Sequence, residues 1–579
     1  MRGDDDFRVR PRRIRSRQSQ RTRPFIAQAL AAAQKAGGRI SRAGRITNGR
    51  GSYFGRGRVA SIRANRFIAS RSRSCTVKAL VVRHKRHNGP LARHLNYLRR
   101  EGVTRDGEKA RMFGLQTDNV DVKDFADRCA DDRHHFRFIV SPQDALDMAN
   151  LKTFTRDLMV QAEKDLGTNL DWLAADHWNT DNPHIHVILR GKASDGQDLV
   201  ISRDYIKNGM RSRAQDLITQ ELGPRTDREI RRTFHQQIEA ERWTELDRQL
   251  VREVDRYGIV DSAPIGGRKP DEYLAMKVGR LRKLESLGLA HPIGAGQWTL
   301  VGEAEATLRA LGERNDIIKR MHRTLAEHGL DRGAAEQVFA GEASDAPIIG
   351  KLMERGLDDE LRASAYAIVD GIDGRTHYIR FQNLDATGDS APGSIVELRR
   401  YEDGKGRSRV ALAVRSDLSI EEQVTADGAT WLDRQLVAHG TTRLGEGGFA
   451  QQVKQALENR TQYLVEQGFA RREAERVIFA RNLIAALRGR EVDGLGAQLA
   501  AATGLLFTKA ADGDQIAGIY RRRFSLAAGR FAMIDDGLGF KLVPWSPGLE
   551  NHLGSHLTGV IRAGGGVDWT LGRKRGLGL

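Results

Sequence analysis

The chain has 579 residues, 40 % apolar and 29 % charged, which is too long for one hydrophobic core and suits two to four globular domains. Lys and Arg number 94 against 75 Asp and Glu, a formal net charge of +19. Two cysteines exclude a disulfide framework and favour a reducing compartment, and no apolar run is long enough for a membrane span.

Taken in chain order, residues 1–73 come first and hold nearly all the excess charge. They contain 19 Arg and one Lys against three Asp, with no Glu. Self-repulsion and few apolar groups predict a disordered tail, with one helical patch at Phe25–Ala36. It suits a phosphate-binding arm. A plain solvated tail, a start upstream of the native one, or a transit-like peptide would share its composition. No continuous apolar segment follows the basic residues, so a signal peptide is not expected.

Order is expected from about Val77. Strand-like Val77–Arg83 is broken by Gly89-Pro90, and Leu91–Arg100 has helical spacing. A strand at His135–Val140, ended by Ser141-Pro142, precedes a helix over Gln143–Leu166. Strands Trp172–Trp178 and His184–Arg190 flank the turn-prone residues 179–183, predicting a hairpin. Helices are expected at Arg211–Glu221 and Asp227–Asp255, closing a first folded unit over 75–258.

Beyond the linker Asp261–Pro270, a helix, a short turn and a β-wing at 271–340 suggest a winged-helix-like unit. A weak echo lies at 416–500. Trp243–Val251 and Trp431–Val437 share the phrase LDRQLV, too short by itself to establish duplication. A β-rich unit is expected at 341–415 and a small β-rich domain with a basic end at 501–579.

The chemistry concentrates in AADHWNTDNPHIHVILRG, residues 174–191. Period two places His184 and His186 on one face of a strand. His177 can face them across the hairpin. Three converging imidazoles make a metal site with open positions, able to polarise a phosphoryl or carbonyl oxygen. Each taken alone would fit an ordinary surface or core histidine. Asp176 and Asp181 can orient imidazoles or accept a proton. Spacing does not choose among Zn, Mn, Fe, Co and Ni, with Mg a poorer match. Tyr97 sits among His94, Arg93, Arg99 and Arg100, groups suited to phosphate. It is either a core residue or a nucleophile able to form a phosphotyrosine. His134 and His135 are further candidates, with core or surface roles equally open.

The order LARHLNYLRREG, RHHFRFIVSPQDA, HWNTDNPHIHVILRG resembles the relaxases of plasmid mobilisation, of the VirD2/TraI type. PGSIVELRR, EEQVTADGATWLDRQLV, GRFAMIDDGLGFKLVPW and GGGVDWTLGRKRGLGL resemble the long uncharacterised (DUF3363-like) C-terminal domain of their relatives. The resemblance implies an α+β fold: an HUH-type antiparallel sheet with helices, then winged-helix-like and small β-barrel-like C-terminal units. It implies a metal-dependent transesterase that nicks one strand at an origin of transfer and can rejoin it. Tyr97 matches the nucleophile. His177, His184 and His186 match the ligands of a divalent metal such as Mg or Mn. Ser141 lies at a motif associated with DNA contacts, and Arg83, Arg93 and Arg190 become candidates for phosphate binding. Asn179 and Asn182 depart from the third motif, whereas Asp181 remains as a candidate proton acceptor. The implied partners are single-stranded DNA, duplex DNA, relaxosome proteins and a type IV coupling protein. The implied compartment is the bacterial cytoplasm, with export on the transferred strand. A rolling-circle replication initiator, a DNA-binding scaffold with a degenerate nuclease domain, and a metal phosphohydrolase are the alternatives.

Overall fold

The computed structural model describes residues 39–40, 46–47 and 71–570, apart from 85–89, 100–103, 106–108, 179–181, 263–271, 331, 334–335, 340–346, 403, 405, 439–442, 474–475 and 563–565. The Phe25–Ala36 helix and most of the expected disordered tail lie outside the described residues. Within the tail, β1 (Arg39–Ile40) pairs antiparallel with β2 (Ile46–Thr47). The fold is α+β, built from mainly antiparallel sheets with helices. Two compact units divide the chain, 1–305 and 306–579. No described helix is long and apolar enough to cross a membrane.

The first unit holds an antiparallel four-stranded sheet of order β3-β4-β6-β5: β3 (Cys75–Arg83), β4 (His134–Pro142), β5 (Trp172–His177) and β6 (His184–Arg190). Helices α1 (Pro90–Leu98) and α2 (Val122–Arg128) separate β3 from β4. Helices α3 (Leu151–Leu166) and α4 (Met210–Leu222) precede β5 and follow β6 respectively. Alternation decides the faces. Phe136, Phe138 and Val140 join Ile185, Val187 and Leu189 against Phe154, Leu158 and Met159 of α3 and Ala214 and Ile218 of α4. On the opposite face, Leu91, Leu95 and Leu98 of α1 and Phe125 of α2 cover Leu173, Ala175 and Ile188. Each fully buried leucine or phenylalanine stabilises this sandwich by about 1.5–3 kcal/mol.

Three local differences from the sequence reading have physical causes. The helix expected from Gln143 starts at Leu151, because the Asn150 side chain accepts from the backbone N–H groups of Lys152 and Thr153. The helix expected over Asp227–Asp255 is two, α5 (Asp227–Glu239) and α6 (Glu245–Tyr257). Thr244 and Asp247 form a capping box that starts the second. Folded contacts also begin before Val77. Arg73 donates to the Gly223 carbonyl and to Glu229, each across 3.0 Å.

Helices α5 and α6 pack with α7 (Glu272–Ser286). Strands β7 (Val260–Asp261), β8 (Ala290–Gly294) and β9 (Gln297–Leu300) form a sheet of order β7-β9-β8. Three helices and a small antiparallel sheet thus pack together across 227–300. Arg280 of α7 is fully buried and locks the three helices. Its Nε and Nη2 bind Asp247 at 2.7 and 2.8 Å, and its other donors reach the carbonyls of Ile238, Ala240 and Arg242.

The second unit opens with α8 (Ala304–Glu327) and a sheet of β10 (Gln337–Phe339), β11 (Ile349–Asp359), β12 (Ser364–Gly371), β13 (Thr376–Phe381), β14 (Ile395–Glu402) and β15 (Ser408–Ser416). Helices α9 (Ile420–Thr425), α10 (Trp431–Val437) and α11 (Gly448–Glu466) follow, then the hairpin β16 (Ala470–Glu473) and β17 (Arg476–Phe479). The long helix α12 (Leu483–Thr503) leads into β18 (Leu506–Phe507), β19 (Gln515–Leu526), β20 (Gly529–Asp535), β21 (Gly539–Pro544), β22 (His556–Ile561) and β23 (Val567–Thr570).

The shared phrase LDRQLV marks a structural repeat. Arg460 of α11 binds Asp433 through Nε and Nη2 at 2.8 Å each, and reaches the carbonyls of Val424, Ala426 and Gly428. Thr430 and Asp433 repeat the capping box of Thr244 and Asp247. The sheets repeat as well. Their orders are β10-β13-β12-β11-β14-β15 and β18-β21-β20-β19-β22-β23, and in both the edge strand, β10 or β18, pairs parallel to its neighbour. A 3₁₀ turn follows β13 and β21 alike. Three helices with a β-hairpin, one long helix and one six-stranded sheet therefore occur twice in chain order.

Candidate metal centre

The hairpin register pairs His177 directly with His184, and two residues along β6 lies His186. All three rings are buried and lie on the face covered by α1 and α2. Their candidate ligand nitrogens lie within 4.8 Å of one another. The Nε2 atoms of His184 and His186 are 3.1 Å apart. Two ligands at right angles on a metal with bonds of about 2.1 Å would be separated by about 3.0 Å.

Backbone carbonyls select the tautomers. His184 Nδ1–H donates to the Asn182 carbonyl at 3.0 Å, which leaves the Nε2 lone pair for a metal. His177 Nε2–H donates to the Leu98 carbonyl at 3.0 Å, which leaves Nδ1 as its donor atom. Neutral imidazoles in a buried setting suit a divalent ion, because they preserve its charge. The donor set and spacing thus fit the metal that the sequence implied.

The Leu98 contact fastens the C-terminal end of α1 to the centre. Tyr97 is the preceding residue and is half-buried. His94 is buried on the same helix, and Arg99 is half-buried in the turn after it. Arg93 lies on α1, but its side chain is outside the described residues, as are Arg100, Asn179 and Asp181. Ser141 follows Val140, which pairs with Ile185, so the continued register sets Ser141 beside His184. Its hydroxyl donates to the Pro183 carbonyl at 3.5 Å. Asp176 faces away from the histidines and accepts the Trp178 indole N–H at 2.7 Å.

Arg83 and Arg190 stand at the other end of the sheet. Arg190 lies six residue steps along β6 from His184, about 20 Å of extended strand. Arg190 binds Asp132 at 2.8 Å, and Asp171 lies 3.7 Å from it. These carboxylates raise its pKa, led by the Asp132 hydrogen bond. Arg83 is exposed at the end of β3.

A second polar group lies on the same face; the sequence offered His135 as a candidate but not its partners His84 and Arg137. His135 Nδ1 lies 2.6 Å from His84 Nε2, and Arg137 donates to His135 Nε2 at 3.1 Å. Burial, then the charge of Arg137, pushes the His135 pKa down to about 2. Burial alone brings Arg137 down to about 10. The alternation HHFRF was the available signal, since it puts His135 and Arg137 on the face opposite Phe136 and Phe138. Cys75 and Cys129 are unpaired buried thiols, each pushed up to about 12 chiefly by burial.

These features define an α+β protein with a buried three-histidine centre on an antiparallel sheet, followed by a duplicated C-terminal architecture. The chain belongs to the family described as Protein of unknown function (DUF3363), whose model matches residues 277–408 and 398–578. No curated protein and no solved structure matches it.

Proposed function

We propose that the chain is a relaxase of the HUH endonuclease type, a metal-dependent transesterase that nicks one DNA strand at an origin of transfer. The observation that carries this reading is the His177–Leu98 hydrogen bond. It ties the helix bearing the candidate nucleophile Tyr97 to the imidazole that completes the metal centre.

Tyr97 loses its phenolic proton and attacks the scissile phosphorus. A Tyr–O–P bond forms, the P–O3′ bond breaks, and the departing 3′ oxygen takes a proton. The products are a 5′-phosphotyrosine and a free 3′ hydroxyl. One ester replaces another, so the reverse attack rejoins the strand. A divalent ion held by His177, His184 and His186 would offset charge on the phosphoryl oxygens. Ser141, beside His184 in the sheet register, would contact the DNA near the nick. The remaining partners follow from the same reading: single-stranded and duplex DNA, relaxosome proteins and a type IV coupling protein, in a bacterial cytoplasm.

The test uses labelled single-stranded oligonucleotides spanning the element's own origin, with Mn²⁺ or Mg²⁺. A covalent protein–DNA adduct is expected, lost in Tyr97→Phe. Cleavage without an adduct, unchanged by that substitution, overturns the nucleophile assignment.

A further inference from the structure

The second unit contains a cavity of 670 Å³ between α12 and the last sheet. That is within the range of small-molecule sites, about 300–1,000 Å³. Phe507, Phe531, Leu542 and Val492 give it apolar walls, and its charged groups come from Arg481, from Arg488 and Asp493 of α12, and from Lys509 and Asp512.

Arg488 lies in this wall with its guanidinium 5.4 Å from the Phe531 ring centroid. Among the described residues it makes no hydrogen bond or ion pair. Burial lowers its pKa, and the charge of Asp512 acts the other way. The guanidinium still stays cationic at neutral pH. A partly buried cation without a close acceptor is costly unless a ligand supplies one. Of the other charges lining the cavity, Lys509 already binds Asp493 at 2.5 Å, Asp512 is an exposed carboxylate that forms no hydrogen bond or ion pair with Arg488, and Arg481 is exposed and adds a second cation, so cations outnumber carboxylates three to two. The first turn of the 21-residue helix α12 also faces the cavity, and no side chain caps it. Leu483 N–H already donates to the Ala480 carbonyl at 3.0 Å, and the N–H groups of Ile484 and Ala485 with the helix dipole add attraction for an anion. Gly489 is the one glycine of the wall, and a Cβ built there meets no atom within 4 Å.

We propose that this cavity binds a small anion with an aromatic body, its anionic group on Arg488 and Arg481 at the start of α12 and its ring against Phe507 and Leu542. The inference is independent of the nicking activity.

Titration calorimetry on the full chain tests it, with phenyl phosphate and inorganic phosphate as probes and a chelator present to keep metal from the histidines. One phenyl phosphate should bind per chain, at least about tenfold more tightly than inorganic phosphate, because the ring buries apolar surface. Arg488→Gln should weaken binding by at least about tenfold through loss of a charge-assisted contact. Gly489→Leu suits a helix and projects into the open space, so it should block binding while leaving thermal stability intact. No binding, equal affinity for the two probes, indifference to both substitutions, or loss of binding in His184→Ala would each overturn the proposal.

Discussion

His177 and Leu98 are joined by a 3.0 Å hydrogen bond between residues 79 positions apart. The bond fixes the tautomer of a candidate metal ligand and an adjacent helix end at once. Position and protonation of the centre therefore depend on the seating of α1.

His184→Ala should remove one of three imidazole donors. The loss in Mn²⁺ or Co²⁺ affinity should exceed the about 10–100-fold typical of changes to residues that only orient a ligand. Calorimetry or the visible spectrum of the Co²⁺ form measures it. Unchanged affinity and stoichiometry would reject the centre.

His135 gives a pH dependence of stability. Its pKa falls from the ordinary 6.5 to about 2, so the folded state keeps it neutral where the unfolded chain takes up a proton. Stability should therefore fall as pH drops below 6.5, by up to about 1.4 kcal/mol per pH unit from this group. Denaturant unfolding between pH 7 and pH 5 should show the slope, and His135→Gln should flatten it. Equal slopes in the two proteins would show that His135 is not held neutral.

The repeated Arg–Asp lock predicts paired effects. Asp247→Ala strands the fully buried Arg280, and Asp433→Ala strands Arg460. Each should cost about 3–5 kcal/mol, because a buried charge is left uncompensated. Limited proteolysis should localise the first loss to residues 227–300 and the second to 420–479. Protection unchanged in either variant would deny that lock its structural role.

Deleting residues 1–70 removes most of the excess charge but leaves Arg71 and Arg73 in place. Arg71 binds Asp227 and Arg73 binds Glu229. Stability should hold, whereas DNA affinity should fall and its salt dependence flatten, by about 0.7 in log–log slope per lost phosphate contact on a single strand. Extending the deletion through Arg73 should lower stability as well. Failure of the shorter protein to cleave a saturating oligonucleotide would show that the tail takes part in the chemistry.

The strand His184–Arg190 was legible because Pro183 precedes it and Ile185, Val187, Ile188 and Leu189 make it apolar. Its paired histidines were legible from period two. The division of Asp227–Asp255 was not, because charged and apolar residues continue through it and the break depends on the Thr244 cap. The duplication was visible only as LDRQLV. What holds each helical repeat is a network of one guanidinium, one carboxylate and three carbonyls, whose members are scattered along the chain.

Sequence by itself determined the α+β character, the concentration of charge in the first 73 residues, and the common face of His184 and His186. These depend on composition and on the repeat of a strand. Tertiary structure decided that His177 completes the cluster, that Leu98 orients it, that Ser141 joins it, and that Arg83 and Arg190 stand apart from it. It also placed Arg488 in a cavity with no close acceptor. Such relations join segments far apart in the chain, and they exist only once the sheet register is set and the helices are packed on its faces.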